Sequence, residues 1–512
     1  MQTLIFSDIL QPGYGKNAGA YRIATQIRNS GFTCQVVDYF SHFTPEEIYQ
    51  IIDRFVDTDT LWVGISTTFF FQIERNEETE FMLEEDDATM FDNLFLSVKD
   101  HASGLPFPPK VMKDIFKYIK SKNPKTKIII GGGRTWDVQQ YDSLINRVIA
   151  DYYVHGYADQ SIVVLTKWLH DSSNPAPKFH GNYANIIDSN TDYDYHEFNT
   201  SQIKYLPQDL IDAQEFLPIE IARGCIFKCK FCSYPLLGKK RGDYTKTKET
   251  LQNEFLYNYE TFGTTNYMFM DETTNDSMEK VEYLHDVISN LPFKIRWGGY
   301  ARVDLYYSNP EMAAIMQETG LMSHFFGIET FNKKSGEAIG KGMHPDKVKA
   351  TLIKLRESWG HDVRMTSGLI AGLPYETEKT LQDLEKYLLS QDCPLDSWNV
   401  HALIMPPGFS SVFGSDPGKF GYSYVEGASL YEWKNEYMTF SKALEIAYRI
   451  RKNTMRRCKP NNWNNMRLQN LGYSQDSVDT MTMYDYAKAI PEIMIRLEAK
   501  KQRYFNQLIN LP

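Results

Sequence analysis

Short β-type runs alternate with helical stretches twice along these 512 residues, and that alternation restricts the chain to parallel sheets covered by helices. In residues 1–170 the β-type runs are 3–7, 33–39, 61–67, 127–130 and 152–155, and the helical pattern after the first of them stops at Asn29-Ser30-Gly31. Five such strands predict a flavodoxin-like doubly wound domain, whose ligands bind at the carboxyl ends of the strands. Residues 171–214 are rich in Asn, Asp, Ser and Tyr without a period, and read as a linker on the surface. A second series starts at 217–222, with strands expected at 267–270, 294–297, 324–327, 364–370 and 398–404. Six βα units over 215–425 predict a partial parallel barrel, with its chemistry on the loops at the carboxyl ends of the strands. In the tail, 426–512, Leu430, Trp433, Tyr437, Phe440, Leu444 and Ala447 recur at three- and four-residue spacing, which predicts a helical extension packed on the barrel.

The length exceeds one ordinary core, and 42% hydrophobic with 23% charged residues is normal globular composition, so two or three domains are expected. The first residues reach Asp8 before a signal-peptide hydrophobic region forms, and no apolar run approaches a membrane span. A soluble, cytoplasmic protein is expected. A net charge of −10 argues against a surface built for nucleic-acid backbones, and the basic stretch 449–457 reads as a solvated helix face.

Three of the six cysteines fall in Cys225-Ile-Phe-Lys-Cys229-Lys-Phe231-Cys232, directly after the strand 217–222. Three thiolates hold three irons of a [4Fe–4S] cluster and leave the fourth open to a small molecule. A structural zinc calls for four protein ligands, often in paired C-x2-C units, and no second pair or nearby His completes this set. Cys34, Cys393 and Cys458 stand singly, without metal spacing, and read as buried thiols.

This loop resembles that of the radical S-adenosylmethionine (SAM) enzymes, and further motifs follow in the order of that superfamily. Phe231 matches an aromatic position near the SAM adenine. Asp271-Glu272-Thr273 lies where the superfamily has Gly-Gly-Glu for the SAM amino group; the glycines are missing, and the choice between Asp271 and Glu272 is open. Arg302 in Arg302-Val-Asp304 matches R-x-D, either holding the SAM carboxylate or bracing its loop against Asp304. Glu329 in Gly327-Ile-Glu329-Thr330, followed by Lys341-Gly342, is the expected contact to SAM ribose or amino groups. Gly368, Ile370 and Gly372, in Gly368-Leu-Ile370-Ala-Gly372-Leu-Pro374-Tyr-Glu376-Thr377, are expected against adenine, and Pro406-Pro-Gly408 matches P-x-G after the sixth strand.

The N-terminal domain resembles the cobalamin-binding domain that precedes the barrel in one large group of these enzymes. Asp8-Ile-Leu10-Gln-Pro-Gly13 occupies the place of D-x-H-x-x-G, with Leu10 where the group often has the histidine below cobalt. Ser66 and Thr68 match S-x-T, and Gly131-Gly132-Gly133 matches the glycines beside the nucleotide tail. Between them lies an acidic stretch from Glu74 to Asp87 with the single cation Arg75, read as a solvated loop or a lid.

The resemblance implies reductive cleavage of SAM to methionine and a 5′-deoxyadenosyl radical, an electron donor such as flavodoxin or ferredoxin, and a small-molecule or peptide substrate. With cobalamin bound, methylation of an unactivated carbon follows; without it, a rearrangement or oxidation is open. A methylthiotransferase shares this barrel but normally brings a second cysteine set upstream, where Cys34 stands alone. A cluster-binding regulatory protein is the reading without catalysis.

Overall fold

The computed structural model describes residues 1–8, 15–67, 109–132, 150–193, 196–234, 236–405, 411–426 and 432–512. Its first sheet contains β1 (Thr3–Phe6), β2 (Cys34–Val37), β3 (Trp62–Ser66), β4 (Lys127–Gly131), β5 (Tyr152–His155) and β6 (Ile186–Asp188). All pairings are parallel, in the order β2-β1-β3-β4-β5-β6. Both faces are covered, so these strands read as continuous apolar runs rather than alternating ones. Leu4, Phe6, Val63, Ile65, Ile128 and Ile130 face a core shared with the helices Pro45–Phe55 and Pro109–Lys122. Ile5, Val36, Trp62, Ile129 and Val154 face the helices Ala18–Asn29 and Ser161–His170.

The sixth strand corrects the expected five. It comes from the segment read as a linker, where Ile186 and Ile187 are buried and pair with Tyr153 and Val154. A three-residue strand is too short to leave a period in the sequence.

The second sheet is wholly parallel, in the order β12-β11-β10-β9-β8-β7. Its strands are β7 (Leu217–Ile219), β8 (Asn266–Phe269), β9 (Arg296–Ala301), β10 (Leu321–Glu329), β11 (Arg364–Ala371) and β12 (Ser397–Ala402). β7 and β12 are its free edges, so the barrel is partial. β9 runs further than expected because Gly298 and Gly299 dilute its β-type character. They are there for close approach: a Cβ on Gly298 would lie 2.5 Å from Ser323 Oγ, and one on Gly299 2.9 Å from Thr274 Cγ2.

The tail divides its work. Trp433 belongs to a two-residue strand paired with Ser423–Tyr424, and the helix begins only at Phe440. That helix, Phe440–Thr454, covers β12 and β11. The Asn462–Asn470 helix closes the amino-terminal end of the barrel, where Met466 meets Gly298 and Asn462 accepts a hydrogen bond from Thr366 at 2.7 Å. The last helix, Ile490–Ile509, returns to the first domain and buries Tyr504, Phe505 and Leu508 there. Among the described residues no helix is long and apolar enough to cross a membrane. Leu430 of the expected stripe lies outside the described residues.

Candidate functional site

The cysteine loop leaves the carboxyl end of β7 and is pinned at its root by Asp271. The Asp271 carboxylate accepts N–H bonds from Ile221 at 2.9 Å and Ala222 at 3.1 Å, and Lys280 Nζ lies 2.6 Å from it. Both oxygens are therefore engaged in holding β7 against the β8 loop, and the side chain is buried. Glu272, one residue on, takes no part in that network among the described residues. Burial, with Asp271 and Glu220 nearby, pushes its carboxyl up to about 7.

Gly224 turns the chain with φ +80, where a Cβ would fall 2.6 Å from Leu236 Cβ. Cys225 is buried, Cys229 and Cys232 are partly exposed, and all three are free thiols. Cys225 Sγ lies 3.5 Å from Thr273 Oγ1, and Arg302 Nη1 reaches Cys229 Sγ at 3.5 Å. Burial raises the Cys225 thiol and takes that of Cys232 up to about 11, and the three sulfurs are near enough to influence one another. Among the described residues no three His, Cys, Asp or Glu side chains converge on a single ion.

Of the two roles expected as alternatives for Arg302, the structure contains the brace against Asp304. Arg302 pairs with Asp304 in two bonds, at 2.9 and 2.7 Å, and its guanidinium lies 3.8 Å from the Phe227 ring centre within the cysteine loop. Phe231 is half-buried and packs on the main core. Glu329 sits at φ +68, a strained conformation for a residue with a side chain, and Lys341 Nζ lies 3.0 Å from its carboxylate.

The strand-five glycines separate. Gly368 faces the barrel interior, where a Cβ would meet Phe325 Cε1 at 2.9 Å and Glu329 Oε2 at 3.9 Å. Gly372, at φ +91, faces outward: its Cβ would lie 2.4 Å from Trp433 Cη2 and 3.1 Å from Ala443 Cβ. On its Cβ side Gly372 thus packs on the tail. Ile370 is half-buried between them. Glu376 binds this turn by accepting from Gly372 N–H at 3.0 Å, Leu373 N–H at 3.3 Å and the Thr330 hydroxyl at 2.7 Å.

On the first sheet, Ser66 and Gly131 end neighbouring strands, and Thr67 donates its N–H to Gly131 O at 2.6 Å. Gly132 follows at φ +104. A Cβ on Gly131 would lie 3.3 Å from Val154 O. Leu10, Thr68, Gly133, the acidic stretch 74–87 and Pro406–Gly408 lie outside the described residues.

The carboxyl ends of the two sheets face each other through buried ions. Asp159, after β5, binds Arg22 at 2.6 Å and Arg223 of the cysteine loop at 2.8 Å, and Arg223 also binds Glu220 at 3.1 Å. The Arg223 guanidinium lies 4.2 Å from the Tyr157 ring centre. Burial opposes the Asp159 charge, but Arg223 and Arg22 together hold its carboxyl well below the usual range.

Two residues that the motifs did not single out, Asn399 and His401, lie at alternate positions of β12. The signal was present as polar residues alternating with buried Trp398, Val400 and Ala402.

Residues 219–388 match the radical SAM superfamily. The barrel is a radical SAM domain. Over 189 residues the chain is 27% identical to an uncharacterized methyltransferase of Pyrococcus horikoshii, covering 36% of this chain and 40% of that one. Over 195 residues it is 25% identical to the anaerobic magnesium-protoporphyrin IX monomethyl ester cyclase of Cereibacter sphaeroides, covering 38% and 31%. The chain thus spans well under half of either curated relative. The fold is similar to that of the radical SAM methyltransferase TsrM from Kitasatospora setae, solved with cobalamin and a [4Fe–4S] cluster bound. The TM-score is 0.63 at 11% identity, covering 98% of this chain and 99% of that one. The cobalamin-dependent radical enzyme OxsB gives 0.53 at 13% identity, covering 98% and 62%.

Proposed function

We propose that this radical SAM protein cleaves SAM reductively at a [4Fe–4S] cluster held by Cys225, Cys229 and Cys232, and that it methylates an unactivated carbon using cobalamin in the N-terminal domain. One observation carries the reading: three free thiols on one loop stand at the carboxyl mouth of the barrel, and that loop is salt-bridged to the carboxyl edge of a doubly wound sheet. Ligands of both folds collect at those edges. When bound, the cluster supplies one electron for C–S cleavage of SAM and cobalamin supplies a transferable methyl group.

The chain's own residues bind and orient. Arg302, beside Cys229 and paired with Asp304, offers a guanidinium for the SAM carboxylate. Glu272 is the free carboxyl of the Asp271-Glu272 pair for the SAM ammonium, since Asp271 is consumed in fixing β7. Glu329 is held in its strained turn with its carboxylate over Gly368, and serves the ribose or amino groups. Gly368 and Ile370 supply the strand edge for adenine, with Phe231 on the cysteine loop, while Gly372 shapes the turn from outside. Ser66, Gly131 and Gly132 border the cobalamin side, and Thr68 is assigned to it from the sequence motif. The reductant is a flavodoxin- or ferredoxin-type protein, and the substrate a small molecule or peptide.

Anaerobic reconstitution tests the reading. Wild type should bind about four irons, hold hydroxocobalamin at one equivalent, and release 5′-deoxyadenosine or S-adenosylhomocysteine on reduction with SAM. Replacing all three cysteines with Ala should remove the iron and both products. A full iron complement in that triple variant refutes the ligand assignment.

A further inference from the structure

The cysteine loop carries a charge opposite to that of the whole chain. Residues 228–241 include Lys228, Lys230, Lys239, Lys240 and Arg241 and no Asp or Glu, in a chain of net charge −10. The fold draws the two ends of this segment together. Cys225 bridges Leu237, and the Gly238 N–H donates to Cys225 O at 2.7 Å and to Phe227 O at 3.1 Å. The Lys228 stem lies across Gly238, where a Cβ would run into the lysine Cε. Lys228 and the run 239–241 therefore border one surface of the loop that bears the three thiols.

These charges are not neutralised within the protein. Lys228, Lys240 and Arg241 are exposed, and none of the five cations enters an ion pair among the described residues. Asp243 turns its carboxylate onto the Lys240 N–H at 3.2 Å and accepts from Lys239 Nζ only through its carbonyl, at 2.5 Å. Glu279 is held low mainly by its own N–H and the Ser277 hydroxyl, and only weakly by Arg241. At the other border the Lys230 Nζ lies 5.5 Å from the Phe420 ring centre. The Lys230 carbonyl accepts from the Phe413 N–H at 3.1 Å, beside the exposed Val412. A cationic face with an apolar residue at its rim has the composition of a protein-docking surface rather than of a purely solvated charge run.

We infer that this face, centred on Lys228, Lys240 and Arg241, is where the electron donor docks, and that the donor is a protein with an acidic rim around its redox group. The inference rests on the proposed function in taking Cys225, Cys229 and Cys232 as cluster ligands. Lys228 and Lys230 flank Cys229 in the chain, so a partner seated on them is separated from the thiols by the loop alone. The donor loses one electron there and the cluster gains it. An acidic partner is repelled by most of a chain of net charge −10, so an attractive patch at the cluster loop both speeds and orients the encounter. The same net charge opposes a nucleic acid, whose phosphates extend beyond so small a patch.

The test uses the full-length reconstituted protein and a flavodoxin of net negative charge as probe. Isothermal titration reads its binding. Loss of visible absorbance reads cluster reduction, by flavodoxin hydroquinone or by the methyl viologen radical cation, a small positive reductant that needs no acidic docking contact. Wild type should bind flavodoxin more weakly as salt is raised. Lys228→Glu, Lys240→Glu and Arg241→Glu together should lower flavodoxin affinity and reduction rate about tenfold or more and abolish the salt dependence. Iron content should stay the same in that variant, and reduction by methyl viologen should not slow. Unchanged flavodoxin binding overturns the inference, as does equal loss of reduction with both reductants, which would mark a damaged loop. Tighter binding of a short single-stranded DNA than of flavodoxin overturns it as well. Iron content and methyl viologen reduction of wild type check the underlying reading separately.

Discussion

Gly372→Ala isolates a packing constraint that the sequence motif alone assigns to cofactor binding. The added methyl meets two penalties. A residue with a Cβ at φ +91 is forced toward left-handed space, at a cost of about 1–2 kcal/mol. The methyl also falls 2.4 Å from Trp433 Cη2 and 2.8 Å from Cζ2. Trp433 cannot swing away, because it is fully buried and its indole N–H donates to Leu403 O at 2.8 Å. Overpacking of that kind costs about 1–3 kcal/mol, so the variant should lose about 2–5 kcal/mol in total. Denaturant unfolding reads the loss as a lower midpoint at unchanged slope. Trp433→Phe removes the two clashing ring atoms. The double variant should therefore be more stable than the sum of the single changes by about 1–3 kcal/mol, the steric share, while the backbone share persists. A Gly372→Ala protein within about 0.5 kcal/mol of wild type, or strictly additive changes, would refute the reasoning.

Asp159→Ala leaves Arg22 and Arg223 to share Glu220 alone and should cost about 1.5–3 kcal/mol; a loss below about 0.5 kcal/mol in chemical denaturation would show that water replaces it. The Asp159 contribution is fully present above the ordinary carboxylate pKa and is lost as the pH falls toward its depressed folded value. Glu376 behaves oppositely: burial raises its carboxyl to about 8, so the folded state holds the proton more tightly and stability declines as pH rises from about 4.5 to about 8. Glu376→Gln should flatten that decline, which is on the order of 5 kcal/mol, and an unchanged pH profile of unfolding would refute it. Leu10 has no lone pair to donate, so the Co(II) electron paramagnetic resonance spectrum of bound cobalamin should lack nitrogen splitting traceable to a protein histidine by isotope labelling.

Much of the architecture is legible locally. Ile128-Ile129-Ile130 announces a strand buried on both faces, and the three cysteines announce their loop by spacing alone. The reading falters where local signals are weak or shared. Ile186–Asp188 is too short to show a period, and Trp433 fits a helical stripe while lying in a strand. Alternation alone places Asn399 and His401 on one side of β12.

The sequence by itself determined the order of βα units, the position of the cysteine loop and the presence of two adjacent carboxyls after β8, because each depends on residues near one another in the chain. Only the tertiary structure decided that Asp271, and not Glu272, is spent on Ile221, Ala222 and Lys280, that Gly372 turns toward Trp433, and that the tail fastens both domains. Each of those outcomes depends on partners distant along the chain, as with Arg22 and Asp159. Burial makes such a pairing decisive: a charge or methyl group that water would accommodate anywhere on the surface has, inside the protein, only the neighbours that the fold brings to it.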